Sequence, residues 1–141
     1  MNTPVICDTS GLLAYFNGRD PDHERARRAM AGLDGALVLS PFVLAELDNL
    51  IATRLGVDAE LALIDEVASG AFELPLITAS DLRRMREVIG KYADQQIGLA
   101  DASLVVLAHQ YETHHLLTLD HRHFGVVRAL DGARFELLPT G

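Results

Sequence analysis

Short apolar runs alternate along this chain with longer stretches in which apolar residues recur every three or four positions. Residues 4–8, Pro-Val-Ile-Cys-Asp, form an apolar run ending in a polar turn, which predicts a buried parallel strand. Thr9 or Ser10 is placed to cap the segment that follows, residues 11–17. Asp20 and Pro21 predict a helix start, with Asp20 as cap and Pro21 in the first turn, and the helix runs to about Leu33. Residues 36–39 predict a second strand. Ser40-Pro41 then restarts a helix in which Leu44, Leu47, Ile51 and Leu55 share one face until Gly56 ends it.

The second half repeats the alternation. Residues 58–69 read as a helix with Leu61, Ile64 and Ala68 inward, and residues 72–77 as a short strand confined to an edge by Pro75. Ser80 caps a helix to about Lys91. Residues 99–111 form the most apolar helix, followed by strands at 115–119 and 135–138. Strands alternating with helices predict a parallel sheet covered on both faces. There is no internal repeat and no linker, so residues 1–141 are expected to form a single domain.

Composition narrows the class. At 141 residues and 49% hydrophobic content the chain can bury a core without disulfides, and Cys7 is the only cysteine. Cys7 itself reads as a buried strand residue. The first ten residues carry no basic region leading into an apolar stretch, and no apolar run reaches the length of a membrane span. A reduced, cytoplasmic protein with no membrane association is expected. Twenty acids against twelve bases give a net charge of -8, which argues against a basic nucleic-acid coat. Acids that bind metal also count in that total, so a nucleic-acid enzyme stays open.

Four carboxylates fall where the predicted elements would bring them together. Asp8 ends the first strand and Asp120 follows the strand at 115–119, both at the edge where open α/β sheets bind ligands. Asp101 opens the most apolar helix and shares a face with Leu104, Val105 and Ala108. Helix-dipole stabilisation of about 0.3–1 kcal/mol cannot offset burial of an unpaired charge, so a cation is expected beside it. Glu46 lies on the Ser40-capped helix by Phe42, Val43 and Leu50, whereas Asp48 faces away and is expected to be solvated. Read singly, each acid is equally a cap, a turn residue or a solvated helix position. Read together, carboxylates from four elements repel one another unless divalent cations neutralise them. Hard oxygen ligands suit Mg²⁺ or Mn²⁺, the ions of metal-assisted phosphodiester cleavage.

Residues 5–10 (Val-Ile-Cys-Asp-Thr-Ser), the Glu46 helix, residues 99–104 (Leu-Ala-Asp-Ala-Ser-Leu), and Thr118-Leu119-Asp120 followed by Phe124 occur in an order and spacing that resemble the PIN domain family. The resemblance is to its VapC-type toxin ribonucleases and spans the chain. It implies an α/β/α sandwich with a parallel sheet of about five strands. It further implies a Mg²⁺- or Mn²⁺-dependent endoribonuclease that is homodimeric and inhibited by a cognate antitoxin. On that resemblance Asp8, Glu46, Asp101 and Asp120 are the metal-site acids and Thr9 or Ser10 orients a metal-bound water; strand alternation points Thr118 the same way as Asp120. Asp94 is a candidate fifth acid.

The remaining chemistry has weaker patterns. His114, His115, His121 and His123 lack helical ligand spacing and any nearby cysteine, so 120–123 reads as a polar loop in preference to a zinc site. Arg25, Arg27 and Arg28 on one helix and Arg83, Arg84, Arg86 and Lys91 on another read as solvated faces. Of these, Arg25, Arg28, Arg83 and Arg86, with Arg122, are also candidate RNA phosphate contacts. Tyr15, Phe16 and Phe42 read as core, with base stacking or antitoxin binding as the other reading. Two rival functions remain. A non-catalytic protein-binding module would carry idle acids. An aspartyl-phosphate phosphotransferase would want an acid where Ser10 stands and a strand-end lysine, but Lys91, the only lysine, is in a helix.

Overall fold

A computed structural model describes residues 2–140. Four short strands form one parallel sheet: β1 (Val5–Cys7), β2 (Leu37–Val38), β3 (His115–Leu117) and β4 (Glu136–Leu138), in the order β2-β1-β3-β4. The sheet is flanked by helices, as expected. The count is four and not about five, because the 72–77 segment contributes only an isolated bridge from Glu73 to Val38. Pro75 cannot donate to a ladder, so the pairing stops there. From β1 the chain leads to β2 on one side, and from β3 to β4 on the other. The β1–β3 junction is therefore the point where strand order reverses, and ligands of open α/β sheets bind outside such points.

Seven α-helices connect these strands: α1 (Thr9–Phe16), α2 (His23–Ala31), α3 (Pro41–Leu55), α4 (Val57–Glu66), α5 (Ala79–Lys91), α6 (Leu99–Gln110) and α7 (His121–Val126). Ser40 caps α3 by accepting the Phe42 N–H at 3.2 Å, with Pro41 first in the helix, as the sequence predicts. Helix α6 is buried without interruption from Ala102 to Ala108 and forms the centre of the core. Gly11 lets α1 lie against the end of β3, since a Cβ there would sit 2.8 Å from the Leu117 carbonyl oxygen.

Several expectations need correction. Asp8, and not Thr9 or Ser10, caps α1. Asp20 binds the Asp22 N–H in a turn, and α2 starts at His23 and stops at Ala31. Thr78, and not Ser80, caps α5, in a capping box with Asp81. On α4 the inward position is Leu63, followed by Val67 at the start of a π-helical turn; Leu61 and Ile64 are 56% and 47% exposed, and Ala68 is exposed in that turn. Asp48 is half-buried, not solvated. It faces Glu60 of α4, whose carboxyl is raised chiefly by its hydrogen bond to Asp48. Residues 121–126 are helical, so the expected polar loop is a helix start capped by Asp120.

Candidate active site

The sheet edge at the β1–β3 junction gathers the four acids. The backbone N–H of Asp8 still bonds to the Leu117 carbonyl at 2.9 Å, so this residue is the last one fixed by the sheet before α1 begins. Its side chain then turns into a crevice of about 330 Å³, where Glu46, Asp101 and Asp120 also project. Thr9, Ser10 and His123 complete the polar wall, and Leu13 and Leu50 the apolar one. Among the described residues, no lysine or arginine lines it.

Hydroxyl groups hold the deepest acid. Thr118, fully buried, donates to Asp8 Oδ2 at 2.7 Å and accepts the Asp120 N–H at 2.9 Å. Ser10 lies 3.2 Å from Asp8 Oδ2 and accepts the Leu119 N–H at 2.9 Å. One serine and one threonine thus tie the ends of β1 and β3 together. Their service to the acids is direct, whereas the expected strand alternation between Thr118 and Asp120 does not apply because β3 ends at Leu117. A second buried bond, Ser40 to Ser103 at 2.8 Å, joins α3 to α6 and so fixes the helices that carry Glu46 and Asp101. Sequence reasoning missed this bridge, whose partners are 63 residues apart.

Electrostatics follow from that gathering. Burial pushes the Asp8 carboxyl up to about 6; its hydroxyl and amide donors oppose the shift and the Asp101 charge adds to it. Asp101 is also raised, chiefly by burial and further by Asp120 and Glu46, against the Gly98 N–H and His123. Both shifts come chiefly from burial, with the neighbouring acids adding to them. Thr9 also lines the crevice, and its Oγ1 is buried without a hydrogen-bond partner among the described residues. No three His, Cys, Asp or Glu side chains among the described residues are placed to hold a metal ion by themselves. Mg²⁺ keeps several waters and takes only one or two carboxylates directly. The donor set, all oxygen and mutually repelling, fits such an ion.

Other candidates lie elsewhere. Asp94 is exposed in a turn of 3₁₀ helix, residues 93–95, and does not line the crevice. Arg25 and Arg28 flank a groove with Leu138 and Pro139 at the end of β4, and pair with Asp22 at 2.8 Å and Glu24 at 3.4 Å. Arg83, Arg86 and Arg122 are exposed. Cys7 is fully buried, its thiol pushed up to about 12 by burial, so it is not poised as a nucleophile. His114 and His115 bond to Asp131 and Glu136 at 2.8 and 2.6 Å. His123, which sequence reasoning left in a loop, borders the crevice; its signal was the cap pattern Asp-x-x-His just before a buried Phe124.

Comparison with known proteins places the family and the fold. The family model for the PIN domain matches residues 5–130. Ribonuclease VapC26 of Mycobacterium tuberculosis is 50% identical over 135 residues, covering 96% of this chain and all of that protein. Among solved structures, the M. tuberculosis toxin VapC20, described as cleaving the sarcin-ricin loop, superposes with a TM-score of 0.78 at 22% identity, covering 84% of this chain and 91% of that one. The VapBC2 complex of Rickettsia felis, bound to a DNA fragment from its promoter, gives 0.69 at 16% identity, with 96% and 98% covered. At such identities the two structures speak to the fold.

Proposed function

The chain belongs to the PIN domain family, among its VapC-type toxin ribonucleases, and from that premise we propose that it cleaves RNA phosphodiester bonds at the acidic crevice with Mg²⁺ or Mn²⁺. The observation that carries this reading is the meeting of Asp8, Glu46, Asp101 and Asp120 in a crevice that no lysine or arginine among the described residues lines. A bound divalent cation supplies an acidified water and positive charge for the phosphoryl oxygens. Asp8, Asp101 and Asp120 would hold it, one or two of them directly and the rest through its bound waters, and Glu46, on the exposed side, would complete the site or hold a ligand water. The Thr118 and Ser10 hydroxyls keep Asp8 aimed, and Thr9 Oγ1 is free to orient a water. In-line attack leaves 5′-phosphate and 3′-hydroxyl ends.

Substrate attraction has to be local, because the whole chain carries -8. Arg83, Arg86 and Arg122 are exposed for phosphate contact, and Arg25 and Arg28 lie beside the strand ends. The partners in this reading are a cognate antitoxin, with basic residues facing the acidic excess, and a second copy of the chain. Exposed apolar side chains support a protein partner: Val57 and Leu61 are 62% and 56% exposed and Leu76 is 89% exposed. No helix among the described residues is long and apolar enough to cross a membrane, consistent with the cytoplasmic placement proposed here.

The test is cleavage of RNA by the purified, antitoxin-free protein with Mn²⁺. Asp101→Asn is expected to lower the rate by at least about a hundredfold, since loss of a ligand should exceed the 10–100-fold effect of an outer partner. Cleavage by the variant at the parent rate would overturn the assignment.

A further inference from the structure

Asp120 is held at both oxygens by one residue. Its Oδ1 accepts the backbone N–H of His123 at 3.1 Å, and its Oδ2 lies 2.8 Å from His123 Nδ1. An ionised carboxylate only accepts, so the contact places the ring proton on Nδ1. Nδ1 is thereby committed to Asp120.

The ring is itself well supported. His123 is 23% exposed at its side chain, and the next residue, Phe124, is buried and meets Phe135 edge-on at 6.3 Å between centroids. Helix α7 is thus pinned to the core one residue beyond the histidine. On its other side, the Asp120 N–H is held by Thr118, which also holds Asp8. The terminal torsion of an aspartate is otherwise broad and loosely fixed. A backbone bond to Oδ1 alone leaves that rotation open, whereas the ring on Oδ2 closes it.

We propose that His123 is a positioning residue for the metal site, resting on the reading of Asp120 as a ligand. Its Nδ1–H fixes the Asp120 carboxylate in the orientation that serves the divalent cation, and His123 is not a ligand itself. Outer partners of this kind set ligand orientation and typically contribute 10–100-fold in metal affinity or activity.

The experiment measures Mn²⁺ binding by electron paramagnetic resonance, with no RNA present. It compares the parent protein, His123→Ala, His123→Asn, Asp120→Ala and the double variant Asp120→Ala/His123→Ala. Circular dichroism and melting establish that each is folded. His123→Ala is expected to weaken Mn²⁺ binding by about 10–100-fold. His123→Asn, whose amide N–H can stand near Nδ1, is expected to restore most of it. In the Asp120→Ala background, removing His123 is expected to change nothing further, the signature of a residue that acts through another.

Parent-like binding by His123→Ala would overturn the inference. So would a further loss in the Asp120→Ala background, or His123→Asn binding as weakly as His123→Ala while folded. A parent protein that bound no Mn²⁺ would overturn the metal reading along with it, and is told apart from these outcomes by the parent alone.

Discussion

Two carboxylates in this protein show little surface to solvent yet behave in opposite ways, Asp81 lying in the outer layer of the molecule and Asp8 deep within it. Asp81, 8% exposed, sits at the start of α5, where it accepts the Thr78 N–H at 2.9 Å and the Gln110 side-chain amide at 2.5 Å. Its pKa is lowered, chiefly by the Thr78 N–H, with Arg84 adding to the shift. Asp8, 5% exposed, also accepts several bonds, from the Thr9 N–H and the Thr118 and Ser10 hydroxyls, yet it is raised to about 6. Hydrogen bonds dominate at Asp81 and burial dominates at Asp8. The nearby charge also differs in sign, Arg84 in one case and Asp101 in the other. A satisfied acid beside a cation builds structure, as Asp81 does by tying α5 to the end of α6. An equally well-bonded acid facing another acid leaves a charge deficit that a cation can fill.

Substitutions that remove each acid should separate the two regions. The largest expected effect is at Asp8: Asp8→Asn lowers RNA cleavage by at least about a hundredfold. The same change should stabilise the metal-free protein by about 2–3 kcal/mol at pH 7, because each unit of raised pKa costs about 1.4 kcal/mol in the ionised state. Chemical denaturation of the two proteins checks this, and a less stable variant would break the comparison. Asp81→Ala should do the reverse, destabilising by about 1 kcal/mol through loss of the capping box while leaving cleavage unchanged.

The smallest effect is in pH dependence. A carboxyl raised in the folded state keeps a proton that the unfolded chain has already released, so the folded state is favoured at low pH. That advantage is lost as pH rises through about 6, the Asp8 value. Metal-free stability from this group should therefore fall between about pH 4 and pH 6, and the fall should be shallower in Asp8→Asn. Asp81 has the opposite sign, contributing stability above its unfolded pKa that is lost as pH falls. An equal slope in parent and Asp8→Asn proteins would show that Asp8 is not the group responsible.

How much of this was legible in the sequence depends on how local each signal was. The strand ending at Asp8 and the Ser40-Pro41 helix start are written in adjacent residues, and both were read correctly. The faces of α4 were not, because Leu61 and Ile64 form as good a helical stripe as Leu63 and Val67. Only packing against the rest of the molecule chooses between two such stripes. The strand at 72–77 shrank to one bridge because an apolar run does not reveal how many partners its backbone will find, and this one, with Leu74 and Leu76 exposed, meets the sheet only at Glu73. At the site, the four acids were recoverable from their order and from the elements that carry them. His123 was not, since the six residues of α7 are too few to show periodicity. The Ser40–Ser103 and Ser10–Thr118 contacts join distant segments and have no local mark at all.

In the proposed function a divalent cation neutralises the acids that repel one another in the crevice. The most direct test is the melting of parent and Asp8→Asn proteins with and without Mn²⁺. Without metal the variant should melt several degrees above the parent. Saturating Mn²⁺ should raise the parent, by about 2.7 kcal/mol at one hundred times its Kd, and leave the variant nearly unmoved. A variant that melts below the parent without metal, or that gains as much from Mn²⁺ as the parent does, would contradict the account.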